Sequence, residues 1–358
     1  MIPVSRPFLP PLEDYNNLIN KLWDSKWLTN NGHYAQDLER KLKDYLTVPS
    51  LHFVSSGTLA LQLSLRTLNI SNEVITTPFS FVATTTSILW ENCTPIFVDI
   101  NPQTLCIDAN KIEEAISDKT EAILATHVYG IPCDVEKIEQ IAKKYDLRVI
   151  YDAAHAFGVR YKGKSLLNYG DISTLSFHAT KLYHTVEGGG IVNNLGEEVN
   201  RDIQMLRNFG FENGILQQLG INAKNSEFHA AMGLCNLKYI DYIIEERKNI
   251  TKIYDSYLGE LIQKPVIPND VEYNYSYYPI IFESEEILLE IQKCLEQISI
   301  ESRRYFNPSL NTLPYLNEKI QCQYSEDISK RILCLPLYNG LDSDVVEKIA
   351  HTILERIK

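Results

Sequence analysis

A lysine near the middle of the chain has the surroundings expected of an amine that forms a Schiff base. Lys181 follows a short alternating strand and is followed by Glu187 and three glycines. A nucleophilic lysine must lose its proton near neutral pH, so its pKa must fall from about 10.4, and burial beside a positive charge lowers it. A lysine taken at random is usually exposed. Here Ser176 precedes it at a spacing that suits a phosphate group, and the glycines permit close backbone approach, so the segment predicts a buried nucleophile.

A candidate phosphate site lies near the N-terminus, in the segment Ser55–Thr58. The segment stands between a predicted strand and a predicted helix over 59–68. Unpaired backbone N–H groups and the helix dipole both favour an anion at a helix N-terminus. Taken alone, the pattern fits an ordinary capped turn at least as well. A dinucleotide site is disfavoured, because no G-x-G-x-x-G motif follows a strand in this sequence.

Three further residues fit an aromatic cofactor with a ring nitrogen. Asp152 ends an apolar strand, at the edge where open α/β sheets bind ligands, and its carboxylate can pair with a protonated pyridine nitrogen. His155 can contact the same ring or its phenolate oxygen, and Phe81 can stack on the ring face. Individually, these residues are as readily explained as a helix cap, a structural histidine and a core aromatic. Together with Lys181 and Ser176, they indicate pyridoxal 5′-phosphate (PLP) chemistry.

The elements that position these residues alternate between short apolar runs and helical stretches, which is typical of an α/β fold with a mostly parallel sheet covered by helices. The clearest crossover helix spans 134–145, where Asp134 can cap the first turn and the apolar residues fall on one face. The predicted strands of one seven-stranded sheet are 51–54, 73–77, 95–99, 121–127, 147–152, 174–178 and 190–193.

The C-terminal part of the chain predicts a smaller α+β domain. Ser226 opens a long helical pattern that no proline interrupts before Pro265, and such a helix would carry the chain out of the large domain. The elements expected after it are a strand over 276–282, a helix capped by Ser284, a strand-like run over 300–304 and a helix from Ser343. The expected domains are a large domain over 1–240, which includes an N-terminal arm over 1–35, and a small domain over 241–358.

Composition and charge narrow the classes of partner. With 358 residues, 44% of them hydrophobic and 22% charged, the chain is an ordinary globular protein. A formal net charge of -12 argues against nucleic acid as the main partner, because phosphate backbones are bound by clustered Lys and Arg. The seven cysteines show neither a C-x-x-C pair nor zinc-ligand spacing, which predicts reduced thiols in a cytoplasmic protein without a metal site. No apolar run suits a membrane helix or a signal peptide.

These motifs, in this order, resemble the DegT/DnrJ/EryC1/StrS family of PLP-dependent sugar aminotransferases. The resemblance implies the aspartate aminotransferase-like fold (PLP fold type I), and it covers nearly the whole chain. The matching segments are 53–61, 96–100, 126–130, 152–156, 176–189, 220–232 and 335–338. Their collinear order makes the signal specific.

The resemblance implies a role for each cofactor residue. Lys181 forms the Schiff base with PLP, and Asp152 pairs with the ring nitrogen. It places Gly57, Thr58 and Ser176 at the phosphate. It also places Phe81 on the ring face and His155 near the cofactor oxygen. It also implies a homodimer in which Asn222 of one subunit reaches the phosphate of the other, so that the two active sites are shared.

Substrate recognition is where the sequence departs from the commonest family pattern. The run 181–189 reads Lys-Leu-Tyr-His-Thr-Val-Glu-Gly-Gly where many members have Lys-x-x-Thr-Thr-Gly-Glu-Gly-Gly, and Lys224 replaces a usual arginine. Tyr183 and His184 follow the Schiff-base lysine and are placed to contact the sugar. The cations Lys224, Arg303 and Arg304 are candidates for binding a diphosphate. A solvated basic pair explains the two arginines about as well.

Two further runs, 2–11 and 177–187, are most similar to family members that act on dTDP-4-keto-6-deoxyhexoses. This similarity implies transfer of an amino group from L-glutamate to the 4-keto carbon. It also implies that the product is used to synthesise bacterial surface polysaccharide. Close alternatives are a 3-keto sugar nucleotide or an inosose as the acceptor. Sugar dehydratases of this fold usually carry histidine in place of the lysine, so Lys181 opposes dehydration. A regulator that has lost the reaction is a further alternative, although a decayed site has no reason to keep Lys181, Asp152 and Ser176 together.

Overall fold

The strands predicted between residues 51 and 193 form one seven-stranded sheet in the computed structural model, which describes residues 1–316 and 320–357. Each predicted strand is present, with its ends shifted by no more than a residue or two. The strands are β1 (His52–Val54), β2 (Glu73–Thr76), β3 (Thr94–Phe97), β4 (Thr120–Thr126), β5 (Arg148–Asp152), β6 (Arg160–Tyr161), β7 (Lys164–Ser165), β8 (Ile172–Ser176), β9 (Gly189–Asn193), β10 (Phe211–Glu212), β11 (Ile215–Leu216), β12 (Val271–Glu272), β13 (Tyr278–Ile281) and β14 (Ile332–Leu335).

Helices connect the strands and pack on the sheet. The prediction for the crossover helix is confirmed, because the side chain of Asp134 accepts the N–H of Lys137 at 3.1 Å, one turn into α5. The helices are α1 (Leu12–Ser25), α2 (His33–Leu46), α3 (Gly57–Thr67), α4 (Val82–Trp90), α5 (Val135–Tyr145), α6 (Glu197–Leu206), α7 (Glu227–Leu237), α8 (Ile240–Leu258), α9 (Glu285–Gln297), α10 (Gln323–Arg331) and α11 (Ser343–Ile357).

The direction of the strands brings several of their ends to one edge of the sheet. In the order β1-β9-β8-β5-β4-β2-β3, the strands from β8 to β3 run parallel, whereas β9 runs antiparallel to both of its neighbours. Gly189 of β9 pairs with Val54 of β1 on one side and with Ser176 of β8 on the other. Asp152 of β5 pairs with Thr174 of β8. The segments that follow β1, β5 and β8 therefore meet at a common carboxyl edge, where open α/β sheets bind ligands.

The prediction of one long helix after Ser226 is wrong, because the chain leaves the helical conformation at Tyr239 and forms two helices, α7 and α8. The backbone of Tyr239 has φ −112° and ψ 2°, and its hydroxyl donates to Asp14 at 3.0 Å. α7 packs against α1 and α2, whereas α8 packs against α11. Hydrophobic periodicity continues across the break and does not reveal this change of packing partner.

The C-terminal part of the chain has a core of its own, formed by apolar side chains between Ile250 and Ile353. Its sheet consists of the antiparallel strands β13 and β14, of which β14 had no predicted counterpart. The predicted starts of two helices are confirmed: the side chain of Ser284 accepts the N–H of Ile287 at the start of α9, and α11 begins at Ser343. The boundary between domains at residue 240 stays a prediction.

The strand predicted over 300–304 is wrong. Ile300 forms only an isolated parallel bridge with Ile2, and Arg303 forms an isolated antiparallel bridge with Cys334. The physical reason is that this run pairs at single residues with two different segments, the N-terminal segment and β14, so no continuous ladder of backbone hydrogen bonds forms. None of the described helices combines the length and the apolar character that crossing a membrane requires.

Candidate active site

A cavity of about 290 Å³ opens at the carboxyl edge of the sheet. Its volume is near the lower end of the range for small-molecule sites, roughly 300–1,000 Å³. Its walls come from the residues that follow β1, β5 and β8 and from the starts of α3 and α4. The predicted site residues that line it are Gly57, Thr58, Phe81, Asp152, His155, Ser176, Lys181 and Arg303.

Lys181 lies in this cavity, just beyond the end of β8. Its amine donates a hydrogen bond to the hydroxyl of Tyr277 at 3.3 Å. Burial lowers the pKa of the Lys181 amine, and attraction to Asp152 and Tyr305 offsets only part of that effect. The direction matches the requirement for a nucleophile, since the neutral amine is the reactive form.

Asp152 is a buried carboxylate with a fixed orientation. The hydroxyl of Thr84 donates to its Oδ2 at 2.8 Å, and the N–H of Ala154 donates to its Oδ1 at 3.1 Å. Burial raises the pKa of Asp152, and these hydrogen bonds, together with the charge of Lys181, oppose the rise. A buried carboxylate is stable as an anion only beside a cation or several donors. A protonated pyridine nitrogen would complete that set.

His155 has one defined tautomer. The backbone N–H of Tyr129 donates to its Nδ1 at 3.0 Å, which places the ring proton on Nε2. Burial lowers the pKa of the imidazole well below its usual value, so the ring is neutral at physiological pH. Its face stacks on Phe306, with ring centroids 5.7 Å apart. His155 can therefore donate one hydrogen bond from a neutral ring.

The start of α3 and the end of β8 together present donors that would suit an anion. The hydroxyl of Ser56 accepts the N–H of Leu59 at 3.1 Å, so the amides of Gly57 and Thr58 precede the hydrogen bonds of the helix itself. A Cβ added to Gly57 would lie 3.0 Å from the Cβ of Ser176, which shows how closely the turn and the strand approach. Two amides, two hydroxyls and the helix dipole favour a phosphate here.

The glycines after Lys181 let the sheet close around this turn. A Cβ on Gly189 would lie 2.5 Å from the backbone of Ser56, and a Cβ on Gly188 would lie 2.2 Å from Oγ1 of Thr185. The close backbone approach predicted from these glycines does occur. It takes place between β9 and the turn that begins α3.

The donor set fits PLP. Phe81, at the start of α4, lines the cavity and is 56% exposed, although it is a large aromatic side chain, as a group that stacks on a bound ring would be. Gly57, Thr58 and Ser176 would hold the phosphate, and Asp152 would pair with the ring nitrogen. Phe81 would stack on the ring face, and Lys181 would bond to the aldehyde carbon.

The adjacent arginines predicted to bind a diphosphate have different surroundings. Arg303 lines the cavity, and its Nη1 donates to the hydroxyl of Tyr305 at 2.9 Å. Arg304 lies outside the cavity, where its guanidinium pairs with Glu285 at 2.7 Å and donates to the carbonyls of Ser329 and Lys330. Only the first of the two can reach a ligand in the cavity in this arrangement.

Tyr183 and His184 do not line the large cavity. Tyr183 is buried and stacks on Phe157, with ring centroids 4.5 Å apart. His184 is also buried, and its Nε2 bonds to the backbone carbonyl of Phe8 at 2.7 Å. The chain turns inward after Lys181, so the two side chains that follow it enter the core. Their effect on a substrate would therefore act through packing.

Asn222 and Lys224 also lie outside the cavity of this chain. Asn222 is exposed and forms an isolated bridge with Asn208. The Lys224 ammonium lies over the ring of Phe209, 4.9 Å from its centroid. Their predicted contacts stay predictions.

Sequence reasoning missed Tyr277 and Thr84. Thr84 follows Phe81 by one helical turn in α4, and its hydroxyl donates to Asp152. Once Phe81 and Asp152 were both placed at the cofactor, Thr84 could have been predicted to lie beside them. Tyr277 precedes β13 and reaches Lys181 only because the C-terminal part packs over the sheet edge. Nothing in the local sequence pattern indicates that contact.

The sequence matches the DegT/DnrJ/EryC1/StrS aminotransferase family over residues 12–354. It is 43% identical over 360 residues to a dTDP-4-amino-4,6-dideoxy-D-glucose transaminase from Shigella dysenteriae, a match that covers 98% of each chain. The family resemblance inferred from the motifs is thereby confirmed.

Solved structures confirm the predicted fold. The crystal structure of DesI in the presence of its TDP-sugar product superposes with a TM-score of 0.94 at 28% identity, covering 100% of this chain and 93% of that one. The structure of NtdA from Bacillus subtilis with bound cofactor PMP gives a TM-score of 0.89 at 30% identity, covering 97% of this chain and 82% of that one.

Proposed function

This chain belongs to the DegT/DnrJ/EryC1/StrS aminotransferase family, and from that premise we propose that it transfers the amino group of L-glutamate to the 4-keto carbon of a dTDP-4-keto-6-deoxyhexose. The product is dTDP-4-amino-4,6-dideoxyglucose. The observation that carries the proposal is that Lys181, Asp152 and Ser176 line one cavity together. The Shigella relative, which is named for this reaction, supports the choice of sugar and nucleotide.

PLP is the cofactor of the family. When bound, it supplies an electron-withdrawing ring that stabilises negative charge on the substrate carbon. Lys181, whose amine has a lowered pKa, takes a proton at Nζ from the donor carbon and returns one to the acceptor carbon. Before the donor enters, the hydroxyl of Tyr277 accepts a hydrogen bond from that amine. Asp152, oriented by Thr84, keeps a proton on the ring nitrogen by its negative charge.

The nucleotide end of the substrate needs cations, because the protein as a whole is acidic. Arg303 at the cavity wall is the candidate within the chain, and Lys224 is a candidate that a second subunit would contribute. Tyr183 and His184 shape the loop after Lys181 through their buried contacts.

We further propose a homodimer with shared sites. The β10–β11 hairpin exposes large apolar side chains, and Leu219 just beyond it is 80% exposed. An exposed apolar surface of this kind is typical of an interface. Asn222 lies beside the hairpin and would reach the phosphate of the other subunit.

Lys181→Ala and Asn222→Ala proteins should each be impaired, and hybrids re-formed from the two should regain activity in the one site that is intact. Absence of recovery after confirmed subunit exchange would remove the shared site.

The proposed product belongs to surface polysaccharide synthesis, including O-antigen and lipopolysaccharide, and a cytoplasmic location fits it. The cysteines support that location. All of them are free thiols, and all except Cys294 are buried.

A panel of nucleotide-linked keto sugars tests the function. With glutamate as donor, the dTDP-4-keto-6-deoxyhexose should give the highest kcat/KM. Preference for a 3-keto sugar nucleotide or an inosose would shift the function to those alternatives. A protein that acquires no visible absorbance with PLP would instead match the regulator.

A further inference from the structure

Arg247 is a buried arginine without a carboxylate partner. It lies on α8 and is 4% exposed. Its Nη1 donates to the carbonyl of Ser276 at 3.1 Å, and its Nε has no hydrogen-bond partner. Within residues 1–316 and 320–357, no acidic side chain pairs with this guanidinium. The contrast is Arg207, equally buried at 5% exposed, which pairs with Glu39 and also donates to the carbonyl of Phe53.

The unpaired guanidinium remains charged. Burial lowers the pKa of Arg247 to about 10, which is still well above neutral pH. A buried charge without a partner is costly, because it has left water without gaining the attraction of an opposite charge. Apart from one hydrogen bond to the carbonyl of Ser276, this guanidinium has no partner in the described part of the chain, and a bound anion would supply the counter-charge that it lacks.

The position of Arg247 places that anion next to the reaction centre. A small cavity of about 10 Å³, roughly the space for one water molecule, is lined by Arg247 together with Ser5, Thr180, Ser276, Tyr277 and Tyr305. Thr180, Tyr277 and Tyr305 also line the large cavity that contains Lys181. The hydroxyl of Tyr277 contacts the Lys181 amine. Because Tyr277 also lines the small cavity beside Arg247, its side chain separates Arg247 from the reacting lysine.

We propose that Arg247 binds a carboxylate of the amino donor. This inference rests on the proposed function, in which the donor is a dicarboxylate. The planar guanidinium fork matches a carboxylate. A sugar diphosphate is too bulky for this enclosed place, and Arg303 at the open wall of the large cavity suits it better. Because the small cavity admits only about one water molecule, the side chain of Tyr277 must turn aside when the donor enters.

The test is a calorimetric titration of the PLP-loaded enzyme with glutarate, which has the carboxylates of glutamate and lacks its amino group. Arg247→Met should weaken glutarate binding by about 30-fold or more. Arg247→Lys, which keeps the charge and loses the fork, should fall between the Met variant and the wild type. The affinity for dTDP should stay within about twofold in both variants, because the nucleotide contacts other residues.

Thermal unfolding without ligand separates a binding role from a structural one. Arg247→Met should unfold within about 4 °C of the wild-type temperature, because removal of the unpaired charge offsets loss of the hydrogen bond to the carbonyl of Ser276. A clear loss of stability with unchanged glutarate affinity would show a structural arginine and overturn the proposal. A Met variant that does not fold would overturn it as well. Wild-type enzyme that fails to bind glutarate would have the same effect.

The half-reaction with glutamate keeps this inference separate from the function. In the absence of any sugar, glutamate should change the cofactor absorbance of the wild type, and Arg247→Met should need about 30-fold more glutamate. If the half-reaction depends on Arg247 but no keto sugar is aminated, the proposed acceptor is wrong and the inference stands. If the sugar is aminated and the variant needs no extra glutamate, the inference is wrong and the function stands.

Discussion

The two walls of the large cavity are fixed by different kinds of contact. On the sheet side, Asp152 and Ser176 occupy strand positions whose register is set by backbone pairing with neighbouring strands. On the other side, Tyr277 precedes β13, and Arg303 belongs to a run that forms only isolated bridges. Backbone register specifies one geometry, whereas a wall of side chains can change one residue at a time. A side chain such as Arg303 can therefore change without a change in the register that positions Asp152 and Ser176.

Removal of the amine from the sheet side should have the largest effect. Lys181→Ala should lower kcat by roughly 10⁴-fold or more, because it removes both the covalent attachment of PLP and the proton-transfer group. Borohydride reduction of the PLP-loaded wild type, followed by peptide mass spectrometry, should label the peptide that contains Lys181. Lys164→Ala, at an exposed lysine of β7, is the control and should be active. A label on any other lysine would show that the wrong residue has been identified.

Loss of the charge on the same wall should come next. Asp152→Asn should retain PLP and lower kcat by roughly 100-fold or more, because the ring nitrogen loses its anionic partner. Thr84→Val removes one hydrogen bond to that carboxylate, worth about 1.5–3 kcal/mol, and should have a smaller effect in the same direction. PLP content by absorbance and steady-state rates measure both. Equal rates for Asp152→Asn and the wild type would mean that the carboxylate only caps the turn.

The pH dependence of cofactor attachment tests the contact between the two walls. The rate at which apoprotein captures PLP should rise with pH, because the neutral amine is the reactive form. Because burial lowers the pKa of Lys181, the midpoint of this rise should lie below the ordinary lysine value of 10.5. Tyr277→Phe removes a hydroxyl that accepts a hydrogen bond from the charged amine, so it should move the midpoint lower still. Stopped-flow absorbance gives both profiles. An unshifted midpoint in the wild type would contradict a buried amine.

The smallest effects should come from the wall that contains Tyr277 and Arg303. The adjacent residues Arg303 and Arg304 offer a variant and its matched control. Arg303→Gln should raise the KM for the sugar nucleotide by about 10-fold and leave the KM for glutamate unchanged. Arg304→Gln should lower the free energy of unfolding by about 1 kcal/mol through loss of the pair with Glu285, and it should leave both KM values unchanged. Steady-state kinetics and chemical denaturation measure the two outcomes. If Arg304→Gln raised the sugar KM instead, the side chain would have to reach the cavity in the bound enzyme.

The sheet and the shared location of the candidate cofactor residues were predictable from the sequence because both depend on local pattern. Apolar runs, turn glycines and strand-end polar residues indicated the strands and placed Asp152 and Ser176 at one edge. The family motifs then supplied roles for residues such as Phe81, whose position in the cavity agrees with them.

The other wall was not predictable because it depends on how distant segments pack. Tyr183 and His184 stand beside Lys181 in the sequence, yet the turn of the chain buries them. Arg304 differs from Arg303 only in the direction of its side chain. The contact between Tyr277 and Lys181 requires the C-terminal part to be in place. Spacing along the chain carries no information about any of these features.

The N-terminal segment that pairs with the C-terminal part has a consequence for the order of folding. The N–H of Ile2 donates to the carbonyl of Ser299 at 2.7 Å, and the carbonyl of Val4 accepts the N–H of Leu337 at 3.2 Å. These partners come much later in the sequence, so residues 2–4 are synthesised long before they can pair. The central sheet can form earlier, from residues 52–193. Docking of the N-terminal segment should therefore be a late event in folding, and the last to finish during synthesis.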